Sequence, residues 1–175
     1  MSEGERKSTM QKSDLAGKES ETGSLLVVNL RGLVNTKSQV RTTLEQLSLI
    51  KRFNATIVPD TKVYRGMLNL SKEHLAWCRV DPATVEKLLR TRAEVSDGRR
   101  FKDDDLSKAG YASFSQLASD VASGKTRLDG TRGLRRFFRL SPPRGGFKRS
   151  IRRSYGQGGV LGENKELIQL VEKML

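Results

Sequence analysis

The chain has 175 residues, 35% of them hydrophobic and 30% charged, with a net charge of +13 and a pI near 10.2. That length fits one domain able to bury about two-thirds of its unfolded surface. An excess of Lys and Arg on this scale points to an anionic polymer or surface as partner, while no apolar run approaches the ~20 residues of a membrane-spanning helix.

Taken in order, residues 1–23 hold five acids, four bases and almost nothing apolar, so this segment is expected to be disordered when free. Residues 25–31 (LLVVNLR) read as a strand closed by Gly32, with Leu26, Val28 and Leu30 on one face. Asn35 or Thr36 is placed to cap a helix reaching about Leu49, with Val40, Leu44 and Leu47 on its apolar face. A second strand over 55–58 stops at Pro59. Thr61 then caps a second helix whose core positions are read as Val63, Met67 and Leu70. Gly66 inside that helix costs about 1 kcal/mol relative to alanine, so something is expected to pack or approach closely there. A short third strand follows over 75–80. This order predicts an α+β protein with a β-α-β-α-β (ferredoxin-like) core, its helices on one face of a small sheet.

An added helical segment and a basic C-terminal extension follow that core. Asp81-Pro82 starts a helix with Val85, Leu88 and Leu89 turned inward. Residues 94–105 read as a polar loop and 105–109 as one helical turn. Ser113 and Gln116 form a capping box for a helix through Ala122, ended by Gly124, with Phe114, Leu117 and Val121 inward. Asn164 caps a last helix bearing Leu167, Ile168, Val171 and Met174. The expected organisation is an extension over 1–23 and a single domain over 24–175, divided into 24–80, 81–124 and 125–175.

The positive charge is concentrated. Between Arg132 and Arg153 there are nine Lys or Arg and no acid. Like charges packed this closely repel unless solvent or an anion separates them. Phe137, Phe138, Phe147 and Tyr155 run through the segment with the Gly145-Gly146 and Gly158-Gly159 pairs. Arginine and aromatic side chains both stack on bases, and glycine admits a phosphate close to the backbone. The plain alternative is a disordered basic tail. Alternation over 134–140 argues instead for a strand, with Leu134, Arg136, Phe138 and Leu140 on one face and Arg135, Phe137 and Arg139 on the other. An arginine on an apolar face predicts that Arg136 lies at a sheet edge or a bulge.

The candidate RNA-binding residues are therefore Arg132, Arg135, Arg139, Arg144, Gly145, Gly146, Lys148, Arg149, Arg152, Arg153 and Tyr155 in that block. Arg31, Lys37 and Arg41 form a second group at the first strand-helix corner, and Lys62 and Arg65 a third at the next. Arg65, beside Gly66, is the strongest single candidate outside the block; a surface salt bridge is its plainer alternative.

Signs of catalysis are few. His74 has no partner at ligand or triad spacing, and Cys78, the one cysteine, can form no internal disulfide and reads as a small buried thiol. Asp103, Asp104 and Asp105 are consecutive and cannot all face one ion, which suits a solvated loop or a helix N-terminus better than a metal site. Neither a GxxxxGK[ST] nor a GxGxxG phosphate cradle is present. No cofactor, metal or small-molecule substrate is expected. One enzymatic alternative is a loose similarity to the acylphosphatase family, with Arg31 and Asn35 as its acting residues; the family's loop pattern GxVxGVxxR is not reproduced by NLRGLVNTKSQVR.

Seven pieces occur in register: RGLVN (31–35), TLEQL (43–47), NATIVPDT (54–61), YRGML (64–68), AW (76–77), LSPPRGG (140–146) and GGVLGEN (158–164). Together they resemble the large-subunit ribosomal protein family whose short bacterial form is L-thirty and whose long eukaryotic form is L-seven. PPRGG and RAE (92–94) make the chain most similar to the archaeal long form. The departures are the polar segment 1–23, which offers no counterpart to the long basic N-terminal helix of the eukaryotic form, and the loop over 98–105. The resemblance implies a structural constituent of the large subunit that supports translation. It also implies contacts with large-subunit ribosomal RNA near the 5S RNA and with neighbouring ribosomal proteins, and a cytoplasmic, ribosome-bound location. A non-ribosomal RNA chaperone is the other RNA-binding reading.

Overall fold

The computed structural model describes residues 23–128, 131 and 133–175. The expectation of disorder over 1–23 lies outside the described residues except at Gly23, whose carbonyl accepts the Asp60 N–H at 2.9 Å.

Three strands, β1 (Ser24–Asn29), β2 (Asn54–Pro59) and β3 (Leu75–Arg79), form the centre of a six-stranded mixed sheet. β1 runs antiparallel to both neighbours, pairing Leu26 with Ile57 on one side and with Cys78 on the other. β2 and β3 thus run the same way with β1 between them, joined by α2 (Lys62–Leu70); α1 (Ser38–Gln46) joins β1 to β2. This is the α+β core that the order of elements predicts.

The sheet is covered on both faces. Leu25, Val27, Val58, Leu75 and Trp77 face α1 and α2, meeting Leu44, Leu47 and Leu68. Leu26, Val28, Ile57, Ala76 and Cys78 face α3 (Pro82–Arg92), α5 (Phe114–Ala122) and α6 (Leu167–Glu172), which supply Val85, Leu88, Leu117, Val121, Leu167 and Val171. A strand buried on both sides has no polar face to keep, which is why β1 reads as an unbroken LLVV run. The two core helices lie on one face, and the added helices close the other.

The segment after residue 125 rejoins the sheet instead of trailing from it. β4 (Phe138–Arg139) is an edge strand antiparallel to β2, while β6 (Gly159–Glu163) pairs in parallel with β3. β5 (Ser150–Ser154) lies beside β6 at the opposite edge, with a register shift between Ser150 and Ser154. A β-carbon on Gly159 would overlap the Arg153 carbonyl there, so the backbones meet at a distance only glycine permits. The strand expected over 134–140 shortens to two residues. Leu134 forms an isolated bridge to Val95, and the chain crosses from there to Phe138, which is fully buried.

Local rules fail in four further places. α1 begins at Ser38, not at the expected cap, because Asn35 takes a left-handed conformation (φ 54°) and extends the turn. In α2, Tyr64, Met67 and Leu68 face the core, whereas Val63 and Leu70 are 72% and 50% exposed. The apolar spacing fits either face, and packing against the sheet selects one. Space around Gly66 is open, so no described part of the chain itself packs closely there. α6 begins at Leu167; buried Asn164 accepts the Glu166 N–H at 2.8 Å and donates to the Val160 carbonyl at 3.2 Å, tying the turn before the helix to β6.

Candidate nucleic-acid interface

The first corner is built on buried Asn29. Its Oδ1 accepts the N–H groups of Arg31 (3.1 Å) and Gly32 (2.8 Å), and its Nδ2 donates to the Leu49 carbonyl (2.7 Å). Arg31 Nη1 donates to the Glu73 carbonyl at 3.2 Å, and His74 Nδ1 lies 3.1 Å from the Gly32 carbonyl. Burial lowers the His74 pKa below its ordinary value, partly offset by that carbonyl. Arg41 pairs with Glu45 at 3.1 Å. Lys37 occupies the N-cap position of α1, exposed and with no carboxylate partner among the described residues; the helix's first N–H groups receive no side-chain cap.

At the second corner Asp60 governs the cations. Its carboxylate, 2% exposed, accepts from Arg65 Nε at 2.5 Å and Nη2 at 2.7 Å, with Arg79 at 3.6 Å. The Arg65 hydrogen bond lowers the Asp60 pKa against the opposing effect of burial. Arg65 is therefore engaged by the protein itself, the plainer of its two readings. Lys62 beside it is exposed and without a carboxylate partner among the described residues.

The C-terminal block separates into two kinds of cation. Arg135 is held at 2.7 Å by Glu94, donates to the Ser96 carbonyl at 3.1 Å and is largely buried. Arg149 pairs with Glu166 at 3.0 Å and lies over the Tyr155 ring at 5.2 Å; the Tyr155 hydroxyl donates to the same carboxylate at 3.2 Å. In contrast, Arg139, Arg144, Lys148, Arg152 and Arg153 are exposed and meet no carboxylate among the described residues. Gly145 and Gly146 sit between them at φ 80° and 72°, where a β-carbon would meet nothing within 4 Å. Arg132 lies outside the described residues.

An aromatic clamp carries the loop that holds these cations. Phe147 stacks on Phe53 with centroids 6.1 Å apart, and the Arg52 guanidinium covers Phe53 at 4.7 Å while donating to the Leu30 carbonyl at 2.9 Å. The Arg144 N–H donates to the Lys173 carbonyl at 3.0 Å. Arg92 reaches Ser141 Oγ at 2.8 Å and the carbonyls of Met174 and Leu175, joining α3 to the same region. Sequence reasoning missed Arg52, Phe53, Glu94 and Glu166. Their partners lie across the fold, and only the Arg52-Phe53 dipeptide offers a local signal.

The remaining candidates do not assemble into a site. Asp103, Asp104 and Asp105 open α4 (Asp103–Lys108), and Asp105 is held by Arg99 at 2.7 Å. Burial pushes the Cys78 thiol up to about 12, an unreactive value. No group of His, Cys, Asp and Glu that could hold a metal is present among the described residues, and no described helix is long and apolar enough to cross a membrane.

Fold and surface together define a small, basic, mixed-sheet α+β protein. The Ribosomal protein L30p/L7e family matches residues 25–75, which span the β-α-β-α-β core into β3. The chain is 37% identical to the large ribosomal subunit protein uL30 of Nitrosopumilus maritimus, over 87% of its own length and 98% of that protein. It is likewise 37% identical to that of Korarchaeum cryptofilum, over 86% and 94%, and 35% identical to that of Archaeoglobus fulgidus, over 85% and 97%. The chain belongs to the Ribosomal protein L30p/L7e family, a family of structural ribosomal proteins and not of enzymes. Membership replaces the acylphosphatase alternative.

Proposed function

We propose that this protein is a constituent of the large ribosomal subunit that binds large-subunit ribosomal RNA through its basic C-terminal loops and supports translation, bound to cytoplasmic ribosomes. Residues 24–175 act as one binding unit, whose core over 24–80 and helices over 81–124 present the segment 125–175. The observation that carries the reading is the set Arg144, Lys148, Arg152 and Arg153, exposed around a glycine turn without carboxylates to neutralise them among the described residues. Crowded cations of this kind neutralise phosphates and release counterions, while the turn follows backbone shape. Lys37 and Lys62 extend the surface at the two strand-helix corners. Neighbouring ribosomal proteins and the vicinity of the 5S RNA complete the setting by family relationship.

Sedimentation of a lysate tests the assignment. The protein should travel with large subunits through a sucrose gradient and leave them as salt is raised. Recovery in the soluble pool would favour a non-ribosomal RNA chaperone.

A further inference from the structure

Between Leu134 and Arg139 the chain leaves the edge of the sheet and opens a groove. β4 is only two residues long, so beyond Ala55 the ladder on β2 stops; Thr56 Oγ1 instead donates to the Arg136 carbonyl at 2.7 Å. The result is a groove of about 510 Å³ lined by Ser48, Ser96, Leu134, Arg135, Arg136, Phe137 and Arg139. The groove is shallow and open to solvent, so it suits a flat group laid against it and not an enclosed ligand. No carboxylate lines it among the described residues.

Its walls are unequal. Arg135 is fixed by Glu94 and the Ser96 carbonyl, which makes that side rigid. Phe137 lines the groove and is half-buried, and the Arg139 guanidinium lies over its ring at 5.9 Å from the centroid, with no carboxylate partner among the described residues. Ser48, held in a left-handed conformation (φ 59°), and Ser96 also line the groove, and a serine hydroxyl can both donate and accept.

We propose that this groove takes one unstacked nucleobase from a single-stranded or looped RNA. Phe137 offers the stacking face, Ser48 and Ser96 meet the base edge, and Arg139 receives the adjoining phosphate. The inference rests on the RNA-binding reading above and deepens it: the cations beyond Pro143 hold backbone, whereas this groove holds a base. An acidic peptide would satisfy Arg139 but bring no flat face to Phe137. A base brings both, because each nucleotide joins a π surface to a phosphate.

The test uses the full chain and a fluorescein-labelled single-stranded hexa-adenylate RNA, with anisotropy titrations at several salt concentrations. Phe137→Leu should weaken binding by about tenfold while leaving the log–log salt slope unchanged, since stacking displaces no counterion. Phe137→Tyr should bind like the natural chain, and its melting temperature guards against a folding artefact. Arg139→Gln should weaken binding and flatten the slope. Equal affinity of Phe137→Leu and the natural chain would overturn the base-binding inference. If neutralising Arg144, Lys148, Arg152 and Arg153 still abolished binding in that case, the phosphate-binding reading would survive. Loss of subunit co-sedimentation in Phe137→Leu with hexa-adenylate binding intact would also overturn it, making the groove a seat for a protein. Failure of the natural chain to bind the hexamer at low salt would overturn both.

Discussion

Two regions of this molecule carry similar cations and use them differently. At the strand-helix corners, Arg41 is answered by Glu45, Arg65 by Asp60 and Arg31 by the Glu73 carbonyl. Past Pro143, Arg144, Lys148, Arg152 and Arg153 stand exposed with no acid to answer them among the described residues. A cation paired at short range contributes little to the field felt by an incoming polyanion, whereas exposed cations without such partners contribute to it in full. Counting Lys and Arg along a sequence does not tell the two kinds apart: Arg135 and Arg149 are paired inside the basic block, while Lys37 and Lys62 at the corners meet no carboxylate among the described residues.

The largest expected effect tests how the C-terminal segment is anchored. Phe138 is fully buried where β4 joins the sheet, so Phe138→Ala should cost about 3 kcal/mol or more, read from urea unfolding. A loss below about 1 kcal/mol would mean that the segment is held chiefly by the Phe147–Phe53 stack and the Arg92 hydrogen bonds.

Next comes the contrast itself. Replacing Arg144, Lys148, Arg152 and Arg153 by glutamine should leave the melting temperature nearly unchanged. Affinity for ribosomal RNA fragments should fall, and the salt slope should flatten by about 0.7–0.9 for each phosphate that is no longer neutralised. If stability fell and the slope held, these residues would belong with the braced group.

The Asp60–Arg65 pair sharpens the other side. The folded-state pKa of Asp60 is depressed, first by its hydrogen bond to Arg65. Its contribution is therefore fully present above the unfolded carboxylate value of about 3.9 and is lost as pH falls through the lower folded value. Unfolding midpoints measured from pH 6 to pH 2 should show that acid-side loss in the natural chain, and Arg65→Gln should diminish it. An identical profile in the variant would return Arg65 to the RNA-facing group.

The smallest effect concerns α2. A methyl at Gly66 meets nothing within 4 Å, so Gly66→Ala should stabilise the free protein by up to about 1 kcal/mol through helix propensity. If the same substitution weakens subunit binding, a partner approaches that helix closely where the protein itself does not.

Much of the architecture was legible along the chain because its signals are local. The LLVV run, the Thr61 cap (which accepts the Tyr64 N–H at 3.4 Å), Asp81-Pro82 and the Ser113 cap act within a few residues, and strands and helices begin or end near them. The existence of a basic, aromatic-laced C-terminal block was equally plain from composition. What sequence could not supply was every feature decided between distant segments. Val63 and Leu70 have core spacing, yet packing against the sheet chooses Tyr64, Met67 and Leu68 instead. Arg135 finds Glu94 across 41 residues, and Arg149 finds Glu166 across 17. Residues 150–154 become an edge strand only because β6 lies beside them. Local sequence determined which pieces form and the sign of the surface they carry. Tertiary structure alone decided which face each helix buries and which cations remain unneutralised, because both depend on free energies that exist only when remote parts of the chain meet.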